Sequence, residues 1–180
     1  MGNLQQRLEF LGYRIIEKLV CSIPDDGLPG MARPFAFLIF YILRIRRKVS
    51  LENLKIAFPE KSDQWRKKTA YFSYLHFSVV ILEFMKIQKW NKTRLEEKMR
   101  HVRMGEFISN VEKGKGVILV SAHFGNWEIA TAFVGSKGYP STVVQQNQKN
   151  VQVNERMKAI RAKWGIEIID TRGAVKNSEK

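Results

Sequence analysis

The first half of the chain places its apolar residues with the period of an α-helix. Over residues 4–23 they recur every three or four positions, which puts them on one helical face. The same spacing predicts further helices over residues 31–47, 50–57 and about 63–89, and the Phe-Pro-Glu sequence at 58–60 separates the last two. The sequence therefore predicts an N-terminal region built of helices.

The second half changes to short apolar, β-branched runs that alternate with helical patterns. The predicted elements are a strand or loop over 90–103, a helix over 105–113, strands over 116–120, 142–144 and 166–169, and helices over 126–137 and 154–164. This alternation indicates an α/β fold with a mostly parallel sheet and crossover helices. Residues 173–180 have the pattern of a helix that is beginning, so the sheet is expected to be incomplete at the C-terminus.

Charge and cysteine content narrow the possible partners. The 180-residue chain has 31 Lys and Arg against 17 Asp and Glu, a net charge of +14, which implies an anionic partner. The basic residues are spread along the chain without a nucleic-acid-binding motif, so no nucleic-acid partner is expected. Cys21 is the only cysteine, which excludes an internal disulfide and fits a reducing compartment.

An apolar run over residues 34–43 is the strongest membrane signal in the sequence. It has about half of the roughly 20 residues that a spanning helix needs. A basic cluster follows it: Arg44, Arg46, Arg47 and Lys48. The run is either a buried core helix or a helix in the lipid interface, and the adjacent basic cluster favours the interface. Residues 1–49 are therefore predicted to form amphipathic, membrane-associated helices, and residues 50–180 to form part of the α/β domain.

The sequence from 121 to 128, SAHFGNWE, carries the candidate chemistry. It joins a predicted buried strand to a helix, which is where parallel α/β sheets place their sites. His123 in the turn and Glu128 in the helix can converge as a general base and the carboxylate that orients it. Gly125 permits a tight turn. A His/Glu pair could bind a metal, but the sequence has no third ligand at a useful spacing, so no metal site is predicted. From spacing alone, the alternative that both residues only cap a helix stays open.

Two motifs resemble the lauroyl/myristoyl acyltransferases of lipid A biosynthesis. HFGNWE at 123–128, after the apolar run GVILVSA, is similar to the H-x4-D/E motif of that family. SLENLKIAFPEKS at 50–62, preceded by RIRRKV, resembles its N-terminal signature, and the two motifs stand in the family's order. Where many members have Arg-Pro after the second strand, this chain has Gln145-Gln146.

The resemblance implies a reaction and its participants. A fatty acyl chain would pass from an acyl carrier protein thioester to a hydroxyl of a lipid A precursor or related glycolipid, without a cofactor, on the cytoplasmic face of the inner membrane. His123 would be the general base and Glu128 its partner, while Arg161, Gly125 and Asn126 would contact substrate. Residues 50–180 would then be the N-terminal part of the acyltransferase domain, in a chain that is C-terminally truncated and inactive alone. The competing function is a non-catalytic basic module that binds anionic membranes.

Overall fold

The computed structural model describes residues 3–99, 104–114 and 116–171. Within these ranges the helices are α1 (Leu4–Ser22), α2 (Leu28–Phe37), α3 (Arg47–Ala57), α4 (Asp63–Lys86), α5 (Lys92–Lys98), α6 (Gly105–Glu112), α7 (Trp127–Ser136) and α8 (Val151–Ala162). The strands are β1 (Ser141–Gln145) and β2 (Ile166–Asp170), with short 3-10 turns at Asp25–Gly27 and Ile87–Lys89 and a π-helical turn at Leu38–Ile42. The predicted α/β class is thus only partly correct, because 69% of the described residues are helical and the described strands form a small two-stranded sheet.

The helical prediction for the first half is confirmed, but its interior boundaries shift. The predicted helix over 31–47 begins earlier, as α2, and continues into the π-helical turn. Arg44 and Arg46 then adopt left-handed backbone conformations, with φ of 51° and 52°, which a continuous right-handed helix excludes. The predicted helix over 50–57 begins earlier, because α3 starts at Arg47 and the Ser50 amide already donates to the Arg46 carbonyl at 3.0 Å.

Contacts divide the chain into two compact units, and the first comprises Arg14–Lys86. Its core forms where α2 and α3 pack on α4, and it is lined by Leu28, Ala32, Ala36, Phe40, Ala70 and Leu82. The buried Lys86 ammonium donates to the carbonyls of Cys21, at 3.0 Å, and of Ile23. These bonds satisfy carbonyl groups at the C-terminal end of α1, which otherwise lack helical partners.

The second unit comprises the described residues of Met1–Tyr13 and Ile87–Lys180. Strands β1 and β2 pair in parallel, with Ser141 opposite Ile166 and Gln145 opposite Asp170. This pairing confirms the predicted parallel arrangement of the second and third predicted strands. Its core is lined by Leu95, Ile129, Ala132, Phe133, Ile160, Trp164 and Ile166. The predicted division of the chain near residue 50 stays a prediction.

Gly135 in α7 allows a close approach to the turn before β2. A Cβ atom added there would lie 2.1 Å from the Trp164 carbonyl oxygen and 2.6 Å from Cδ1 of Ile166. No side chain fits at these distances, so glycine is required for α7 to pack against the start of β2. Because α7 carries the motif predicted to be functional, this contact helps to position the site.

Two predicted elements of the second half are wrong. Residues 116–120 form no strand, and Ile118 and Val120 are 91% and 93% exposed. β-branched composition favours a strand, but a strand also needs a neighbouring backbone, and in the described residues β1 and β2 pair only with each other. The segment after Trp90 is helical, as α5, because the Asn91 side chain caps it by accepting from the Arg94 amide at 2.8 Å. Residues 100–103 and the predicted helix start at 173–180 lie outside the described residues.

One helical stretch in the described part of the chain, Asp63–Lys89, is long and apolar enough to cross a bilayer. Of its most apolar window, 44% is buried inside the protein, and the core helix of a soluble protein meets the same criterion. The helical stretches Asp25–Ile42 and Arg47–Ala57 meet this length and hydropathy criterion only when they are taken as one span. The chain bends by 89° at the break between them.

Candidate functional site

The loop before α7 is shaped by a glycine and a capping asparagine. Gly125 has a φ of +57°, a left-handed conformation that glycine adopts without steric cost. The Asn126 side chain accepts hydrogen bonds from the amides of Glu128 at 3.1 Å and Ile129 at 3.2 Å. This N-cap fixes the start of α7 and satisfies two of its free amides. Both residues were predicted to contact substrate, and that role stays a prediction.

Glu128 and Arg161 form a two-pronged ion pair between α7 and α8. Arg161 donates from Nε to Oε2 of Glu128 at 3.0 Å and from Nη2 to Oε1 at 2.6 Å. The two side chains are only 14% and 10% exposed, so water screens this pair far less than a surface pair. Charge-assisted bidentate contacts of this kind are among the strongest in proteins. The structure therefore brings together two of the predicted site residues.

Gln145 joins this pair from the carboxyl end of β1. Its Oε1 accepts a hydrogen bond from Arg161 Nη1 at 2.9 Å. In the sequence, Gln145 is only a departure from the family pattern, and no role was predicted for it. Its position directly after the predicted parallel strand over 142–144 was the signal, because polar groups of such sheets converge at that edge.

A second polar network lies at the same edge of the sheet. Asp170, the last residue of β2, accepts from the Asn147 amide at 3.4 Å. The buried Asn154 side chain accepts from the Gln148 amide at 2.9 Å and donates to Asn147 Oδ1 at 3.1 Å. These bonds fix the loop after β1 and therefore the end of the strand that carries Gln145.

His123 lies in the loop, exposed, with its ring beside Trp127. The ring centroids are 4.5 Å apart and the planes are inclined by 60°. His123 and Glu128 are not hydrogen-bonded to each other, because the Glu128 carboxylate faces Arg161. The two predicted catalytic residues thus share one loop–helix junction, with the base accessible and the carboxylate held in place. Their catalytic roles stay predictions.

The arrangement offers groups for proton transfer and electrostatic stabilisation. An imidazole can exchange a proton with a bound hydroxyl near neutral pH, and an almost buried carboxylate–guanidinium pair supplies fixed charge nearby. Among the described residues, no three His, Cys, Asp or Glu side chains lie close enough together to hold a metal ion.

Comparison with known proteins identifies the family. No curated protein and no solved structure matches the chain. A family model described as bacterial lipid A biosynthesis acyltransferase matches residues 3–178, which is almost the whole chain and includes both motifs. The chain therefore belongs to the bacterial lipid A biosynthesis acyltransferase family.

Proposed function

We propose that the chain moves a fatty acyl group from an acyl carrier protein thioester to a hydroxyl of a lipid A precursor or a related glycolipid. Membership of the family supports acyl transfer in lipid A biosynthesis in general, without specifying donor or acceptor. The observation that carries the finer proposal is the position of His123. It is accessible in the loop that leads into α7, five residues before the ion-paired Glu128.

In the proposed reaction, His123 acts as the general base. The imidazole takes the proton of the acceptor hydroxyl while its oxygen attacks the thioester carbonyl carbon. The tetrahedral intermediate collapses, the carbon–sulfur bond breaks, and the imidazolium returns the proton to the leaving thiolate. The products are an ester and the free thiol of the carrier protein. This reaction needs no cofactor, because the thioester is already an activated acyl donor.

Glu128 is proposed to stabilise the imidazolium that forms on His123. Catalytic hydrogen bonds are often long or poorly aligned before substrate binds, and they tighten in the reacting complex. The contacts of Arg161 support a positioning role for it, because three of its nitrogen atoms donate to Glu128 and Gln145. If Arg161 also contacts substrate, through an oxyanion or a phosphate, one of these bonds must be exchanged when substrate arrives.

The reaction is proposed to take place at the cytoplasmic face of the inner membrane. Helix α1 supports this location, since five apolar side chains on one face are each more than half exposed: Leu4, Leu8, Leu11, Ile15 and Leu19. An amphipathic helix with such a stripe lies in the plane of a lipid interface. The net charge of +14 adds attraction to anionic lipid.

An acyl-transfer assay tests the proposal. The natural protein that carries this chain would be incubated with acyl carrier protein bearing a labelled acyl thioester and with a lipid A precursor. Label should move to the acceptor, and mild alkali, which cleaves esters and spares amides, should release it. Transfer of label to an amine, or no transfer from the thioester, would contradict the proposal.

A further inference from the structure

A basic groove runs between α3 and α4 inside the unit Arg14–Lys86, and we call it the α3–α4 groove. Its volume is about 610 Å3. It is lined by Arg44, Arg47, Lys48, Leu51, Glu52, Lys55, Asp63, Arg66 and Lys67. Six cations thus face two carboxylates in one concave site, which gives a strongly positive local field.

Two of the six cations are already engaged by the protein. Arg66 is buried, with Nη2 2.7 Å from Asp63 Oδ1 and Nη1 3.0 Å from the Phe58 carbonyl. Lys48 lies 3.8 Å from Glu52. In the part of the chain that the structure describes, the groove cations that form no ion pair are Arg44, Arg47, Lys55 and Lys67. The groove therefore contains uncompensated positive charge that can bind an anion.

Part of the groove is held in place before any ligand binds. The Tyr74 hydroxyl donates to the Ile45 carbonyl at 2.5 Å, which fixes the segment that connects to α3. The Arg47 guanidinium carbon lies 4.8 Å from the centre of the Phe40 ring, a cation–π contact. Arg44 is kept in a left-handed conformation with a φ of 51°. Cations that are ordered in advance bind an anion with less loss of conformational entropy.

We propose that the α3–α4 groove binds the phosphate monoester of a membrane lipid. A monoester carries up to two charges near neutral pH and offers three acceptor oxygens, so it fits several unpaired cations better than a singly charged diester. Exposed apolar side chains lie in the same basic segment, at Leu43, Ile45 and Val49. This mixture suits the boundary between headgroups and acyl chains, and it favours lipid over an acidic protein. The proposal does not depend on catalysis.

Vesicle binding at pH above 7 tests the proposal with the natural protein that carries this chain. One arm uses phosphatidylcholine vesicles containing phosphatidic acid, a monoester. The matched vesicles contain phosphatidylglycerol, a diester, in the amount that gives the same zeta potential. Non-specific electrostatic attraction between the protein and the vesicle surface is then the same for both lipids. The protein should prefer phosphatidic acid by about tenfold, the effect of one extra charge-assisted hydrogen bond. Soluble glycerol phosphate at the same concentration as the lipid phosphate should not release the protein.

The groove variant Arg44→Asn/Lys55→Gln should lose that preference, and asparagine is chosen because it tolerates the left-handed backbone. Removal of two cations near the surface should weaken phosphatidic acid binding by about 30-fold. The control Lys68→Gln/Lys89→Gln has the same charge change outside the groove and should keep the preference. If the groove variant does not fold, Lys55→Gln alone, at an exposed position, should still lower the ratio.

Several outcomes would overturn the proposal. They are equal binding of the two lipids, an unchanged preference in the folded groove variant, and release by soluble glycerol phosphate. Loss of acyl carrier protein binding in the groove variant, with the lipid preference intact, would instead assign the groove to an acidic protein. Because no turnover is measured, a negative result here leaves the proposed acyl transfer standing.

Discussion

Replacing Arg161 with Met should destabilise the unit that holds α7 and α8. The change leaves the Glu128 carboxylate 14% exposed and without its guanidinium partner. Removal of one member of a buried ion pair costs about 3–5 kcal/mol, and the slight exposure of both side chains places this pair near 3 kcal/mol. A control on the same helix is Lys158→Gln, which removes an exposed pair with Glu155 at 3.2 Å and should cost about 0.5 kcal/mol or less.

A double-mutant cycle with Glu128→Gln isolates the interaction. The double variant has neither charge, so its loss of stability should be smaller than the sum of the single losses by about 1–3 kcal/mol. Urea unfolding followed by circular dichroism gives the free energies, and hydrogen exchange of α7 and α8 peptides locates the loss. Additive effects, or an Arg161→Met variant as stable as Lys158→Gln, would refute the inference that this pair holds the site together.

Two further predictions concern packing and pH. Gly135→Ala should lower the free energy of unfolding by about 1–3 kcal/mol, because the added Cβ meets backbone at 2.1 Å. The control Gly30→Ala in α2 meets nothing within 4 Å and should stabilise the protein by up to about 1 kcal/mol; equal effects in thermal melts would contradict this reasoning. The Lys137 hydrogen bond and charge lower the pKa of Glu96, so the folded state binds fewer protons there and the contribution of this pair fades as pH falls through that lowered pKa. Urea midpoints of Lys137→Gln should therefore lose this part of the pH dependence, and an unchanged profile would contradict it.

Elements that satisfy their own hydrogen bonds could be predicted from the sequence. The apolar pattern over 126–137 predicted α7, and the structure adds that Asn126 caps this helix. The prediction failed where the structure of a segment depends on distant parts of the chain. Residues 116–120 have the composition of a strand, but no strand lies beside them among the described residues. Asn91 caps α5, and the prediction of a strand or loop over 90–103, which rested on the charged composition, did not use this capping residue.

The candidate site was predictable in its members but not in its contacts. Spacing and resemblance selected His123, Glu128 and Arg161. The ion pair of Glu128 with Arg161 joins residues 33 positions apart, and it depends on how α7 and α8 pack, which local patterns do not contain. The contact of Arg161 with Gln145 depends on the same packing and on the end of β1.

The most direct test of the central claim is the rate of acyl transfer in a His123→Ala variant, measured in the natural protein. The control is His76→Ala, which removes another exposed histidine that has no assigned role. Loss of a general base should lower kcat by at least about a hundredfold, with the circular dichroism spectrum and thermal melt unchanged, while the control keeps its activity. A correctly folded His123→Ala protein that transfers acyl groups at a near-normal rate would contradict the account.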